Sequence, residues 1–72
     1  MNIYCVYWAV SGADCEKNYD YVFAKTKRDA MNHKFFNRVL VLEVRDVYGK
    51  EKEDAVENHW CINHREYESK TL

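Results

Sequence analysis

Asn2-Ile3-Tyr4-Cys5-Val6-Tyr7-Trp8-Ala9-Val10 is the stretch on which the fold turns. It is rich in β-branched and aromatic residues and short for a helix, which predicts a strand. In an extended chain alternate side chains face opposite ways. Ile3, Cys5, Tyr7 and Ala9 therefore share one side, and Tyr4, Val6, Trp8 and Val10 the other. A strand apolar on both sides belongs in the middle of a sheet or at an interface. The rest of the chain has to supply its neighbours and a cover for each face.

Working outward, residues 11–18 are polar with turn chemistry around Gly12 and read as a hairpin loop. Residues 19–25 alternate Tyr19, Tyr21 and Phe23 against Asp20, Val22 and Ala24, a second strand by the period-two rule. Thr26 with Asp29 three residues on makes an approximate capping box, so the first helix should open there. Ala30, Met31, Phe35 and Phe36 would form its buried stripe over about three turns. Val39 to Tyr48 is the next strand, with Leu40, Leu42 and Val44 on one face, Val39, Val41, Glu43 and Arg45 on the other, and Gly49 as its end.

Residues 53–67 admit two readings. As a helix from near Glu53 they align Val56, Trp60, Asn63 and Tyr67 in one stripe, with Glu51, Glu53 and Asp54 at the positive end of the dipole. As a strand, residues 59–67 alternate Trp60, Ile62 and His64 and pair with residues 39–48. The helix is the preferred reading. The expected fold is α+β: a small antiparallel sheet of three strands, or four, with one helix on one face, in the order β-β-α-β plus a C-terminal helix or strand.

The chain is 72 residues long, which makes one small domain over 1–72. A domain of this size buries only about 60% of the surface of its unfolded chain, so each apolar face matters to its stability. Eleven Lys and Arg against twelve Asp and Glu give a net charge of −1, which excludes a chain that is strongly basic or acidic throughout. The odd set Cys5, Cys15 and Cys61, with no charged segment leading into an apolar run at the N-terminus, argues against a secreted disulfide framework and predicts a cytoplasmic setting. No apolar run approaches 18 residues, so no membrane span is expected.

His59, Cys61 and His64 place three potential metal ligands within six residues, but only Cys61 and His64 have a familiar zinc spacing. A buried Cys61 with two surface histidines is the expectation, with no metal and no cofactor; a zinc-stabilised interaction domain is an alternative. Phosphate loops and metalloprotease patterns are absent from the sequence, and a Cys–His pair in so small a domain lacks a water-excluding pocket. The expectation is a non-enzymatic chain.

Charge is segregated. Lys25, Lys27, Arg28, Lys34 and Arg38 stand against Asp29 alone, while Glu43, Asp46, Glu51, Glu53, Asp54 and Glu57 stand against Arg45, Lys50 and Lys52. The first run is net +4 and the second net −3. Solvated faces explain both in the plainest way; an electrostatic docking site is the sharper reading. Tyr and Trp bury large areas at small entropic cost and dominate binding hot spots. Beyond those needed in the core, Tyr19, Tyr21 and Trp60 are the candidates for a partner surface, with Glu51, Glu53, Asp54 and Glu57 beside them.

Phe23-Ala24-Lys25-Thr26, with Ala30 four residues on and Val39 to Val47 after the helix, resembles the layout of small bacteriophage host-takeover and anti-defence proteins. These include the phage inhibitor of bacterial RNA polymerase and small anti-CRISPR proteins. The resemblance covers about residues 2–48 and implies a phage-encoded inhibitor that sterically blocks a host enzyme or defence complex in the host cytoplasm. The second face is covered either by the C-terminal segment, burying Trp60, or by a second chain, and a homodimer through the two-faced sheet is an equal candidate. The alternative function is a nucleic-acid-binding module using Lys25, Lys27, Arg28, Lys34 and Arg38, with sheet aromatics stacking bases.

Overall fold

The computed structural model describes residues 1–10 and 17–66. The expected hairpin loop, with Gly12 and Cys15, lies mostly outside the described residues, as does Tyr67. Strands β1 (Asn2–Ala9), β2 (Asn18–Ala24) and β3 (Leu40–Val47) form one antiparallel sheet in the order β2-β1-β3. Between β2 and β3 lie a short helix, α1 (Lys27–Met31), and a 3₁₀ turn at Lys34–Phe36; α2 (Gly49–Glu57) follows β3. The α+β order strand, strand, helix, strand is the expected one.

The two-sided strand is the central one. On one face Tyr4 and Val6 of β1 pack with Val22 and Ala24 of β2, beneath Ala30 of α1 and Phe36 of the 3₁₀ turn. On the other, Ile3 and Cys5 pack with Phe23, Val47, Ala55 of α2 and Cys61. Each fully buried aliphatic or aromatic side chain contributes roughly 1.5–3 kcal/mol. Two thin cores back to back on one strand are therefore what hold the domain.

Three elements depart from the sequence reading. The first helix does open at Thr26, whose hydroxyl accepts the Asp29 N–H at 3.1 Å. It lasts five residues, not three turns. The Asn32 N–H closes it onto Arg28 O and Ala30 O, and His33 is extended, with its Nδ1 accepting the Phe35 N–H at 3.2 Å. This is a local side-chain bond that competes with helix continuation. Ala30 and Phe36 are buried as expected, while Met31 and Phe35 are about half exposed.

In β3 the alternation breaks. Glu43 lies opposite Tyr7 and Val41 opposite Trp8, so Leu42 is an extra residue at a bulge. Val41 therefore joins Val44 in the cluster under α1 instead of facing away from it, and Leu40 and Leu42 are exposed.

The C-terminal segment is a helix, then an edge. α2 begins at Gly49, not Glu53, and ends at Glu57. Its buried residue is Ala55, and Val56 is exposed, so the Val56, Trp60, Asn63 stripe is not a helix face. Residues 61–63 then run beside β2, with Cys61 opposite Tyr21 in parallel, and not beside residues 39–48. Among the described residues no helix is long and apolar enough to cross a membrane.

Candidate aromatic interaction site

The period-two pattern of β2 puts Tyr19 and Tyr21 on the α2 face of the sheet, and the antiparallel register places Tyr7 directly opposite Tyr19. The rings form a row. Tyr7 and Tyr19 are 6.1 Å apart between centroids, Tyr19 and Tyr21 6.0 Å at 88°, and Tyr21 and Trp60 5.7 Å at 30°. Neighbouring aromatics at 4.5–7 Å and tilted or edge-on support one another beyond the area they bury. The three residues that the sequence nominated, Tyr19, Tyr21 and Trp60, are thus brought together.

Trp60 reaches the row because α2 stops where it does. The Asn58 N–H bonds Asp54 O, His59 adopts a left-handed backbone with φ 55°, and the Trp60 N–H returns to Ala55 O at 2.9 Å. Such a left-handed cap reverses the chain, and glycine is its usual occupant. Here it is a histidine, whose ring stacks on His64 at 4.8 Å. Downstream, the Ile62 N–H donates to Tyr21 O at 2.9 Å. Buried Asn63 then acts as a strand in miniature: its Oδ1 accepts the Phe23 N–H at 2.8 Å, and its Nδ2 donates to Phe23 O at 2.9 Å. These bonds close the edge of β2 and fix Trp60 against Tyr21.

Beneath the row lies a polar knot. The Tyr21 hydroxyl donates to Glu51 Oε2 at 2.8 Å, and Arg45 donates to both Glu51 oxygens at 2.8 and 2.9 Å. Arg45 Nε also donates to the Tyr7 hydroxyl at 3.3 Å. A guanidinium forked onto a carboxylate is a strong, directional pair. The Arg45 hydrogen bonds, followed by that of Tyr21, hold the Glu51 carboxyl down at about 2, and burial together with Glu51 pushes the Tyr21 phenol up. Tyr21 stays a neutral donor.

The row is open to solvent at Tyr19 and at Trp60. Tyr19 is 59% exposed and Trp60 45%, whereas Tyr21 is half-buried. Tyr19, Asp20, Tyr21 and Trp60 line a cleft of about 390 Å³. Asp20 was not among the nominated residues, because its position in β2 points its side chain to the other face, where the Trp8 indole N–H donates to its carboxylate at 2.7 Å. Tyr7 and Lys17 were missed as well. The Lys17 ammonium sits 4.6 Å over the Tyr7 ring, and only the hairpin register reveals that neighbourhood.

The acidic candidates divide. Glu51 is spent inside the knot, so Glu53, Asp54 and Glu57 remain, with Lys50 and Lys52 just before them in α2. Glu53, Val56, Glu57 and Lys52 flank a shallow groove on the outer side of α2. The basic candidates Lys25, Lys27, Arg28, Lys34 and Arg38 are all exposed on the opposite side of the sheet, and Lys27 pairs with Asp46 at 3.4 Å.

Cys61 is buried, and its desolvated thiol is pushed up to about 12; burial also raises that of Cys5. Such thiols are poor nucleophiles and poor metal ligands. His64 Nδ1 lies 3.2 Å from Cys61 O and not at its sulfur. Among the described residues no three His, Cys, Asp or Glu side chains are grouped to hold a metal ion. In comparisons with known proteins, no family model, curated protein or solved structure matches this chain.

Proposed function

We propose that this chain is a non-enzymatic protein-binding module whose aromatic row seats on a partner protein, and that it acts by occlusion. In the manner of the phage inhibitors its sequence resembles, the partner is a host enzyme or defence complex in the host cytoplasm. One observation carries the reading: Tyr19, Tyr21 and Trp60 are contiguous, braced by neighbours, and open at both outer rings. Pre-braced aromatics lose little conformational freedom on binding, which is the property of energetic hot spots. Glu53, Asp54 and Glu57 on α2 then orient the approach through charge, more than they add to affinity.

The experiment is capture from a nuclease-treated bacterial lysate by the intact chain and by the double variant Tyr19→Ser, Trp60→Ser, read by mass spectrometry with the native mass of each complex. A defined protein is expected at fixed stoichiometry on the native chain. The double variant should lose it, because each hot-spot aromatic is worth about 2 kcal/mol or more. Equal capture by both chains overturns the reading. Capture that depends on nucleic acid, and falls by orders of magnitude as salt rises, assigns function instead to Lys25, Lys27, Arg28, Lys34 and Arg38.

A further inference from the structure

Each residue of an antiparallel strand turns its N–H and C=O the same way, so alternate residues of β2 face its outer edge. Phe23 and Tyr21 are two of them. Phe23 is met by both ends of the Asn63 amide, and Tyr21 by the segment that carries Cys61 and Ile62. The register of β2 on β1 runs unbroken from Ala24 to Asn18, so Tyr19 faces outward as well. Among the described residues nothing pairs with its main-chain N–H or C=O. The closing of this edge therefore stops one step short, at the residue whose ring is the most exposed of the row.

The cleft of about 390 Å³ starts where the closing segment leaves off, with Trp60 as its end wall. The Asp20 side chain lies on the α1 face, so a cleft that touches Tyr19, Asp20 and Tyr21 in succession runs along the strand's edge and not over one face. An unpaired edge residue is a template for another extended chain. A chain laid there lies about 4.8 Å from β2 and sends its side chains alternately to the two faces. The residue level with Tyr19 falls on the α2 face beside the Tyr19 and Trp60 rings. Its neighbours fall on the α1 face, beside the Asp20 carboxylate, which the neutral Trp8 indole holds and, among the described residues, no cation pairs.

We propose that Tyr19 pairs, through its main-chain N–H and C=O, with an extended segment of the partner protein that carries an apolar residue opposite Tyr19 and basic residues on either side of it. Main-chain bonds of this kind supply affinity, and the alternate side chains supply selectivity. A second copy suits the edge less well: two β2 strands set antiparallel about Tyr19 would share only Asn18–Asp20 before each met the other's closing segment. The proposal rests on the aromatic row being a partner surface, and adds the form in which the partner meets it.

The test titrates the intact chain with the pentapeptide N-acetyl-threonyl-lysyl-valyl-lysyl-threonine amide and with its twin N-methylated at the valine nitrogen, which keeps every side chain and charge but loses the central donor. The Tyr19 amide and the Trp60 indole are followed by NMR. The parent peptide should move both signals saturably, slow hydrogen exchange at the Tyr19 amide, and bind about five-fold more tightly than its twin. Asp20→Asn, which keeps an oxygen for Trp8, should weaken the parent peptide and leave its preference over the twin in place. Equal binding of the two peptides, no binding of either at several millimolar, or an unmoved Tyr19 amide overturns the edge pairing, even where capture of a partner still depends on Tyr19 and Trp60. Preference for the parent peptide combined with partner capture that ignores both residues overturns the assignment of this edge to that partner.

Discussion

Arg45 forks onto Glu51 while Tyr21 donates to the same carboxylate, so three elements, β2, β3 and α2, are tied through one side chain. The carboxyl of Glu51 falls from its ordinary 4.5 to about 2, chiefly through Arg45. Taken whole, such a shift is worth roughly 3 kcal/mol. Both side chains are more than a third exposed, at 40% and 35%, and solvent screening brings this to about 1 kcal/mol. A depressed carboxyl stabilises the fold above its unfolded value and loses that contribution as the pH falls toward its folded one. Glu51→Gln should therefore lower the urea midpoint near neutral pH by the equivalent of about 1 kcal/mol, and the gap to the native chain should close between about pH 4.5 and 2. A gap of equal size at both ends would show that charge is not its cause. The sequence placed Glu51 with the outward acids because its partners are remote in the chain. Arg45 is six residues back and Tyr21 thirty, and only the sheet register brings them together.

At the level of elements, legibility followed how locally each signal is written. β1 and β2 were readable from composition and alternation, and the N-cap at Thr26 from one hydroxyl. The bulge in β3 was not, because all of Val39 to Leu42 is apolar and no pattern marks which residue is extra. The two ends of α2 were misread for one reason. Gly49 signals a break, which the sequence reading used as the end of a strand; with φ 65° it serves as the turn that starts the helix. At the other end the left-handed position is His59, so the glycine that would have announced a cap is missing and the apolar spacing to Trp60 suggested continuation. The geometry makes Gly49 testable. A methyl group placed on its Cα would have no neighbour within 4 Å, so Gly49→Ala meets no steric obstacle and only the backbone conformation opposes it. The expected cost is about 1 kcal/mol in urea unfolding, with an unchanged circular dichroism spectrum. An alanine variant as stable as the native chain would mean that the turn relaxes away from positive φ.

For the whole molecule, a central strand apolar on both faces demands two covers, and the chain supplies the second itself over half the sheet. α2 and the segment 61–63 shelter Ile3, Cys5 and Phe23, with Tyr7 partly buried beside them, while Tyr19 stays open. The two edges of the sheet are treated differently. β2 is closed by Ile62 and by the two Asn63 bonds, all of which lie beyond α2; β3 keeps its outer edge, guarded by a bulge and by charged Glu43, Arg45 and Asp46. A chain ending after Glu57 would keep all three strands and both helices, yet it would uncover Cys61's place in the core and lose the Asn63 and Ile62 bonds along the β2 edge. Each lost hydrogen bond costs about 0.5–1.5 kcal/mol net, and exposing the core beneath Cys61 adds about 1–3 kcal/mol, against a total stability of only about 5–15 kcal/mol. Such a chain should melt lower and less cooperatively and, unlike the full one, associate through the exposed β2 edge as concentration rises. Sedimentation velocity with parallel thermal melts checks this. A shortened chain that stayed monomeric and melted where the native one does would show that residues 58–66 decorate the sheet and do not complete it, and the positioning of Trp60 would lose its structural reason.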